Sequence, residues 1–443
     1  MEISELKKIL QDNGIVGAGG AGFPTYGKLD ERADTILLNC AECEPLLKLH
    51  RQLLKEHAYE IMQAFHMVAE TVHAAQAIIG IKEEYQSTVE ALEAHIGEFP
   101  EMKIHLLPGA YPMGDEVVLI YEATGKQIRP GGLPIEAGVA VFNVETMYNI
   151  HRAVKEQHPV TDKVVSIVGE VKNPISVRIP LGTSVKDAIK LAGGATIEDP
   201  AYLMGGPMMG FLGSETGTIT KTTNAILVLP KDHKLILKKQ SKSQIELNRA
   251  ASICCQCQSC TDLCPRHLLG HPIEPHLFMR AAAGNDFRDV SVFLNTFYCS
   301  GCGTCELYSC PQGLKPRTLI TEYKNGLRAN GVKAPADPKF DPVDPAREYR
   351  RVPEARLQSR LGLTKYDHPA PLQDQVANVS HVQERLSQHI GAPAVACVKA
   401  GDRVQAGDVI ATAAQGLSVN IHASISGKVT AVDGTCITIQ KVG

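Results

Sequence analysis

Tryptophan is absent from the 443-residue chain and aromatic residues make up only 5% of it, so stacking platforms for single-stranded nucleic acid are poorly supplied. Neither sign of charge prevails. The 45 Lys and Arg against 48 Asp and Glu leave a formal net charge of -3, with no global field to draw in nucleic acid or an anionic membrane. An uncharged apolar run of about 18 residues is missing, which removes membrane-spanning helices. The opening MEISELKKILQDNG alternates charge with aliphatics and lacks an apolar h-region, so no secretory leader is expected. Long-period repeats and low-complexity tracts are missing too. What is present, 44% hydrophobic and 21% charged residues, fits a soluble globular protein of the cytoplasm. At roughly 150 residues per domain the length predicts about three domains, and one compact module is excluded.

The text changes along the chain. Residues 1–158 alternate helical stretches with short apolar runs (TILLN, AAQAIIGI, AGVAVFNV), the pattern of an α/β layer domain with buried strands. Residues 159–235 carry β-type runs around one helix that two glycines stop, a small α+β domain. Residues 243–330 hold cysteines between helical segments, 331–384 read as a Pro- and charge-rich connector, and 385–443 as an all-β module with Gly turns. The fold class is therefore multidomain α/β and α+β.

Nine of the thirteen cysteines lie between Cys254 and Cys310. Such crowding in a large chain suggests metal ligation under reducing conditions rather than a disulfide framework. Cys254, Cys257, Cys260 and Cys264 stand at C-x2-C-x2-C-x3-C before Pro265, the bacterial ferredoxin run for [4Fe-4S] clusters. Cys299, Cys302, Cys305 and Cys310 repeat it before Pro311, with four residues rather than three ahead of the last cysteine. If the two-cluster rule holds, the fourth cysteines exchange, giving Cys254, Cys257, Cys260 and Cys310 on one cube and Cys299, Cys302, Cys305 and Cys264 on the other; the extra residue leaves that exchange open. Zinc is the competing reading, but three cysteines at successive x2 spacing are crowded for one tetrahedral ion. Cys255 is a buried thiol or bystander, Cys397 and Cys436 are expected in the core, and His267, His271 and His276 at the surface or at caps.

Gly17–Gly22 satisfies G-x-G-x-x-G but follows an amphipathic helix rather than a strand, so the Rossmann context is missing. Three further motifs follow it: NCAECEP from Asn39, GAYPMGDE from Gly109 and VFNVET from Val141. This ordered set, over roughly 130 residues, resembles the flavin-binding subunit of respiratory NADH dehydrogenase and its relative, the RnfC subunit of Rnf electron-transport complexes. The resemblance implies a Rossmann-like domain holding noncovalent FMN open to NADH, lined by Gly19, Gly20, Gly22, Lys28, Asn39, Glu42, Gly114, Asp115, Glu116, Asn143 and Thr146. Phe23, Glu44 and Tyr111 are second-rank candidates for dinucleotide contacts. The residue types suit such a site, since glycines let backbone N–H groups approach an anion, Lys28 can supply positive charge, and asparagine amides suit hydroxyls and ring edges. Cys40 and Cys43 are expected to pack beneath the loop.

By the same resemblance, residues 159–235 look like a soluble-ligand-binding (SLBB) β-grasp domain, 243–330 like a helical ferredoxin-type dicluster domain, and 385–443 like a barrel-sandwich hybrid. No lysine lies between Arg403 and Lys428, where lipoyl-type carriers place the modified residue, so a swinging arm is not expected. The domain order, with the hybrid module last where RnfC has it first, resembles the cobalamin reductases of propanediol-utilisation microcompartments. That implies electron transfer from NADH through FMN and two [4Fe-4S] clusters to a corrinoid. The implied partners are a corrinoid or a corrinoid adenosyltransferase and microcompartment shell proteins, without nucleic acid. The alternatives are an RnfC-like electron-transfer subunit of a larger complex with a different acceptor, and a scaffold with vestigial sites. The base-off motif D-x-H-x-x-G is absent, since Pro265 stands where Asp is needed before His267 and Gly270.

Overall fold

A computed structural model describes residues 1–240 and 242–442; Gly443, the last residue of the expected terminal module, lies outside them. Its N-terminal part is built on four parallel strands in the order Met102–Leu107, Gln76–Lys82, Thr35–Cys40, Val139–Asn143. Their apolar runs are continuous because both faces are covered. Ile36, Leu38, Ile79, Ile81 and Phe142 enter one core with the helices Ile3–Asp12, Leu49–Glu56, Ala58–Val72 and Val144–Lys155. Leu37, Ile78, Val139 and Val141 point the other way, against Val117–Ile120 of the helix Glu116–Thr124. From Thr35–Cys40 the chain moves to one side for two strands and returns on the other. A topological switch point therefore falls between Asn39 and Asn143, which are register partners at the strands' carboxyl ends.

The second sheet has six strands, with Asp162–Gly169 and Ala225–Pro230 parallel at its centre and the helix Val185–Leu191 on one face. Ser184 starts that helix by accepting from the Asp187 N–H. The cysteine region folds around the helices Ser243–Ile253, Pro275–Ala283 and Pro316–Ala329, whose apolar faces share one core. Pro275 and Pro316 sit in the first turn, where a missing N–H costs nothing.

The stretch expected as a connector carries structure of its own. Val352–Pro353 pairs antiparallel with Ala110–Tyr111, Arg347 and Arg351 both reach Glu122, and Leu372–Gln373 adds an edge strand to the second sheet. His381–Arg385 already belongs to the terminal module, where a four-stranded and a three-stranded sheet enclose Val382, Ile410, Ile421, Val429 and Ile437. This module rests on the first helix and the glycine loop: Gln11 donates to the Ser418 carbonyl, and the Ile390 N–H to that of Gly22. No described helix is long and apolar enough to cross a membrane.

Candidate functional site

The residues of the glycine motif set converge on the switch point. At the end of Val139–Asn143, the Asn143 side chain accepts from the Glu145 and Thr146 N–H groups and so starts the next helix. Thr146 in turn accepts from the Ala18 N–H at 3.0 Å and fixes the glycine loop. A Cβ at Gly19 would lie 2.4 Å from the Asn143 amide, so only glycine brings the loop this close. Gly20 is exposed, with open space above it, and Gly22 turns at φ +73 beneath Gln388 and His389. Phe23 is half-buried against Gly27. At the neighbouring strand end, the Asn39 amide donates to the Gly114 carbonyl at 3.0 Å, and the Gly114 N–H points at the Cys43 sulfur. Glu42 accepts from the His50 N–H while its Oε2 is buried without a partner. Lys28 donates to Glu116 at 3.2 Å and to the Val141 carbonyl at 2.9 Å, so its charge stands in the same crevice, balanced by a carboxylate.

Three expected contact residues are committed elsewhere. Both Glu44 oxygens accept backbone N–H groups, from Met208 and Met209 at 2.8 Å, which locks the second sheet's loop to the flavin-type domain. Burial raises the pKa of Glu44 above its ordinary value. The Tyr111 hydroxyl, on a ring only 4% exposed, donates to the Cys302 carbonyl at 2.6 Å. Asp115 caps Glu116–Thr124 through the Val117 and Val118 N–H groups and pairs with Arg266 at 2.9 Å. Arg266 was not among the expected site residues; the signal for it was a cation directly after the Cys264-Pro265 pair.

The eight ferredoxin-type cysteines ring two cavities. One is lined by Cys254, Cys257, Cys260 and Cys310, the other by Cys264, Cys299, Cys302 and Cys305. The fourth cysteines are thus exchanged between the runs. The extra residue before Cys310 is taken up by a π-turn over Thr304–Ser309, which inserts one residue into a helical turn. Burial pushes the Cys260 thiol up to about 12, with Cys310, Cys254 and Cys257 adding to the shift. Cys305 is raised well above its ordinary value by burial and then by Cys299 and Cys302. Thiols so placed would not ionise unaided, and bound iron would supply the compensating positive charge. The donor set therefore fits two four-iron clusters. The inner site touches Tyr111 and Arg266, whereas in the outer one Cys257 is exposed.

The remaining expectations divide. Cys40 is buried, and Cys43, pushed up to about 12 by burial, lies against Gly114, whose N–H points at its sulfur. Cys436 is buried, but Cys397 is exposed because Val395–Ala396 is an outer strand of its sheet. Cys255 is an exposed bystander at the outer cavity. His271, expected at the surface or at a cap, is buried, and its ring bonds the Ile128 carbonyl. His276 is half-buried and bonded to Thr261. The H-x-x-G turn packs on the stretch expected as a connector: a Cβ at Gly270 would meet the Asp341 carbonyl oxygen at 1.9 Å.

Residues 10–152 match the Nuo51 FMN-binding domain, 164–212 the SLBB domain, 253–315 the 4Fe-4S dicluster domain and 372–441 the RnfC barrel sandwich hybrid domain. A flavin domain joined to a dicluster domain in one chain defines a flavin- and iron–sulfur-dependent oxidoreductase. The chain is 40% identical to the cobalamin reductase PduS of Salmonella typhimurium over its whole length and 97% of that protein, and equally to PduS of Citrobacter freundii over 96% of this chain and 94% of that one. It belongs to the PduS family, within the wider RnfC-like group. A component of an ion-translocating oxidoreductase complex from Erwinia tasmaniensis is 33% identical over 61% of this chain and 33% of its own length. An NAD+-reducing [NiFe]-hydrogenase shares the fold, with a TM-score of 0.50 at 21% identity over 83% of this chain and 68% of its own.

Proposed function

We propose that this protein is an NADH-dependent corrinoid reductase. The observation that carries the reading is similarity to cobalamin reductases from end to end, joined to a fold that sets the glycine-loop crevice beside the inner thiol cavity. Bound there, FMN would supply the conversion between a two-electron hydride and the single electrons that each cluster would carry. The chain's own residues divide the work in this reading. Gly19, Gly20 and Gly22 open the loop to a phosphate or ribityl chain, Lys28 supplies the countercharge, and Asn39 and Asn143 line the ring edge. Tyr111, Asp115 and Arg266 clamp the crevice to the inner cluster. Cys264, Cys299, Cys302 and Cys305 hold the inner cluster; Cys254, Cys257, Cys260 and Cys310 hold the outer one. A corrinoid adenosyltransferase is the proposed recipient or carrier of the reduced corrinoid, and a microcompartment in the cytoplasm, bounded by shell proteins, the proposed location.

The test is anaerobic NADH oxidation by the reconstituted protein with and without cob(III)alamin. Corrinoid reduction matched to NADH consumption supports the reading. NADH oxidation that leaves the corrinoid untouched but reduces a protein partner would instead favour an RnfC-like subunit, the reading that the absent base-off motif and the Erwinia relative favour.

A further inference from the structure

Cations without carboxylate partners gather over the segment that carries a ligand to each cluster site. The helices Lys234–Gln240 and Glu354–Leu361 meet where the His233 ring bonds the Gly362 carbonyl at 3.3 Å. Each presents two cations at i and i+4, and so on one face: Lys234 with Lys238, and Arg356 with Arg360. No described carboxylate stands in an ion pair with any of them. Lys238 instead donates to the Glu306 carbonyl at 3.1 Å, and Arg360 to the Cys310 carbonyl at 3.2 Å. Those carbonyls belong to the stretch that brings Cys305 to the inner cavity and Cys310 to the outer one. Burial lowers the pKa of Lys238 against the pull of Glu306, and Arg360 adds to the shift, so the cations are close enough to repel.

Beside these cations lie large apolar side chains open to solvent. Leu237, on the face that carries Lys234 and Lys238, is 53% exposed. Its helix packs beside the edge strand Phe211–Gly213, where Phe211 is 68% exposed and Met209, just ahead of it, 57%. Lys239 joins the two elements by donating to the Met208 and Gly210 carbonyls at 3.3 and 2.6 Å. Met208 itself is buried, and a Cβ at Gly303 in the inner cysteine loop would lie 3.7 Å from its methyl. Single apolar side chains on a surface need no explanation, but a ring, a methionine and a leucine grouped beside arginines have the composition of a protein interface.

We infer that this surface docks an acidic protein that carries single electrons. Charge complementarity selects the occupant, because a chain of net charge -3 keeps a group of unpaired cations here, and these steer a negative face towards the patch. Spread over two helices, the cations suit a protein face better than one small anion. Met209, Phe211 and Leu237 supply the apolar contact that salt does not screen. On docking, one electron leaves a reduced cluster and reduces the oxidised centre of the carrier, with no bond made and no proton moved. The inference rests on the reading of two four-iron sites through which electrons leave.

The experiment uses the oxidised haem domain of cytochrome b5, which is acidic, as the probe and basic cytochrome c as the control of opposite charge. The anaerobic holoprotein is reduced chemically and freed of reductant, so that NADH plays no part. Electron transfer to each probe is then followed by stopped flow at low and high salt, on wild type and on a Lys234→Glu, Arg356→Glu double variant. Lys238 and Arg360, which bond the cluster segment, stay in place. At low salt the rate constant with cytochrome b5 is about tenfold lower in the variant, and the difference closes as salt rises. The rate with cytochrome c does not fall. An unchanged cytochrome b5 rate at low salt, or an equal fall with both probes, would overturn the inference. Should the variant fail to fold, carbodiimide coupling of wild type to cytochrome b5 decides: bonds to Lys234 or Lys238 support the dock, and bonds to distant lysines alone overturn it. Iron and sulfide contents separate this failure from failure of the two-cluster reading, because only the latter leaves wild type short of about eight of each.

Discussion

Replacing Arg266 by Met should loosen the inner cluster region from the flavin domain without unfolding either. Arg266 and Asp115 lie 2.9 Å apart with side chains 17% and 9% exposed. Removing one partner of a buried pair costs about 3–5 kcal/mol because the other charge is left behind. Here Asp115 keeps two N–H donors at 3.0 and 3.3 Å and the helix start they belong to, which brings the cost below that range, to about 2–3 kcal/mol. At about 1.4 kcal/mol per tenfold, local opening becomes about 30- to 150-fold more frequent. Hydrogen exchange followed by mass spectrometry on the anaerobic holoprotein reads this in peptides covering 263–272. Asp115→Asn loses the charge but keeps an oxygen for the cap, so 263–272 opens while the first turn of Glu116–Thr124 stays protected. Acceleration below about threefold, or equal acceleration in the distant strand Cys436–Gln440, would refute the clamp.

Further outcomes follow from the same geometry. Cys310→Ala should remove the cluster that Cys257→Ala removes, and Cys264→Ala the other one, with Cys255→Ala losing neither; iron, sulfide and resonance spectra of the four variants check the exchanged ligation. The released chromophore should be FMN, and Lys28→Ala should weaken its binding by about 1–3 kcal/mol through loss of a charge-assisted contact, measured as the flavin dissociation constant. Between the second sheet and the terminal module, burial lowers Lys221 to about 7 and raises Glu384 to about 7. Glu384 then contributes stability that declines as pH rises from its ordinary value to about 7, whereas the contribution of Lys221 grows as pH rises from about 7 towards its ordinary value. The melting temperature of wild type relative to a Lys221→Met, Glu384→Gln double variant should therefore pass through a minimum near neutral pH.

Local chemistry was legible in the sequence and long-range commitment was not. The cysteine spacings announce cluster ligands because three thiolates of one cube come from adjacent turns. The exchange of fourth ligands stayed open because a count of four residues before Cys310 does not say that they wind as a π-turn. The α/β character of the first domain followed from runs such as TILLN, whose residues alternate between two cores. Glu44 and Tyr111 were sought at the dinucleotide because their motif lies beside the glycine loop in sequence. Their polar atoms instead meet Met208, Met209 and Cys302, well over a hundred residues away. The structure within 331–384 escaped for a similar reason: Val352–Pro353 is too short to show a period, and what orders it is pairing with Ala110–Tyr111 and the ion pairs to Glu122.

The central claim is that electrons enter at the flavin crevice and leave through the clusters. Stopped-flow mixing of NADH and cob(III)alamin with Cys302→Ala, at flavin and corrinoid wavelengths, tests it most directly. The account predicts that the flavin still bleaches, since hydride transfer needs only the N-terminal domain, while corrinoid reduction falls well below wild type because one carrier is gone. Corrinoid reduction at the wild-type rate by a variant shown to lack that cluster would contradict it.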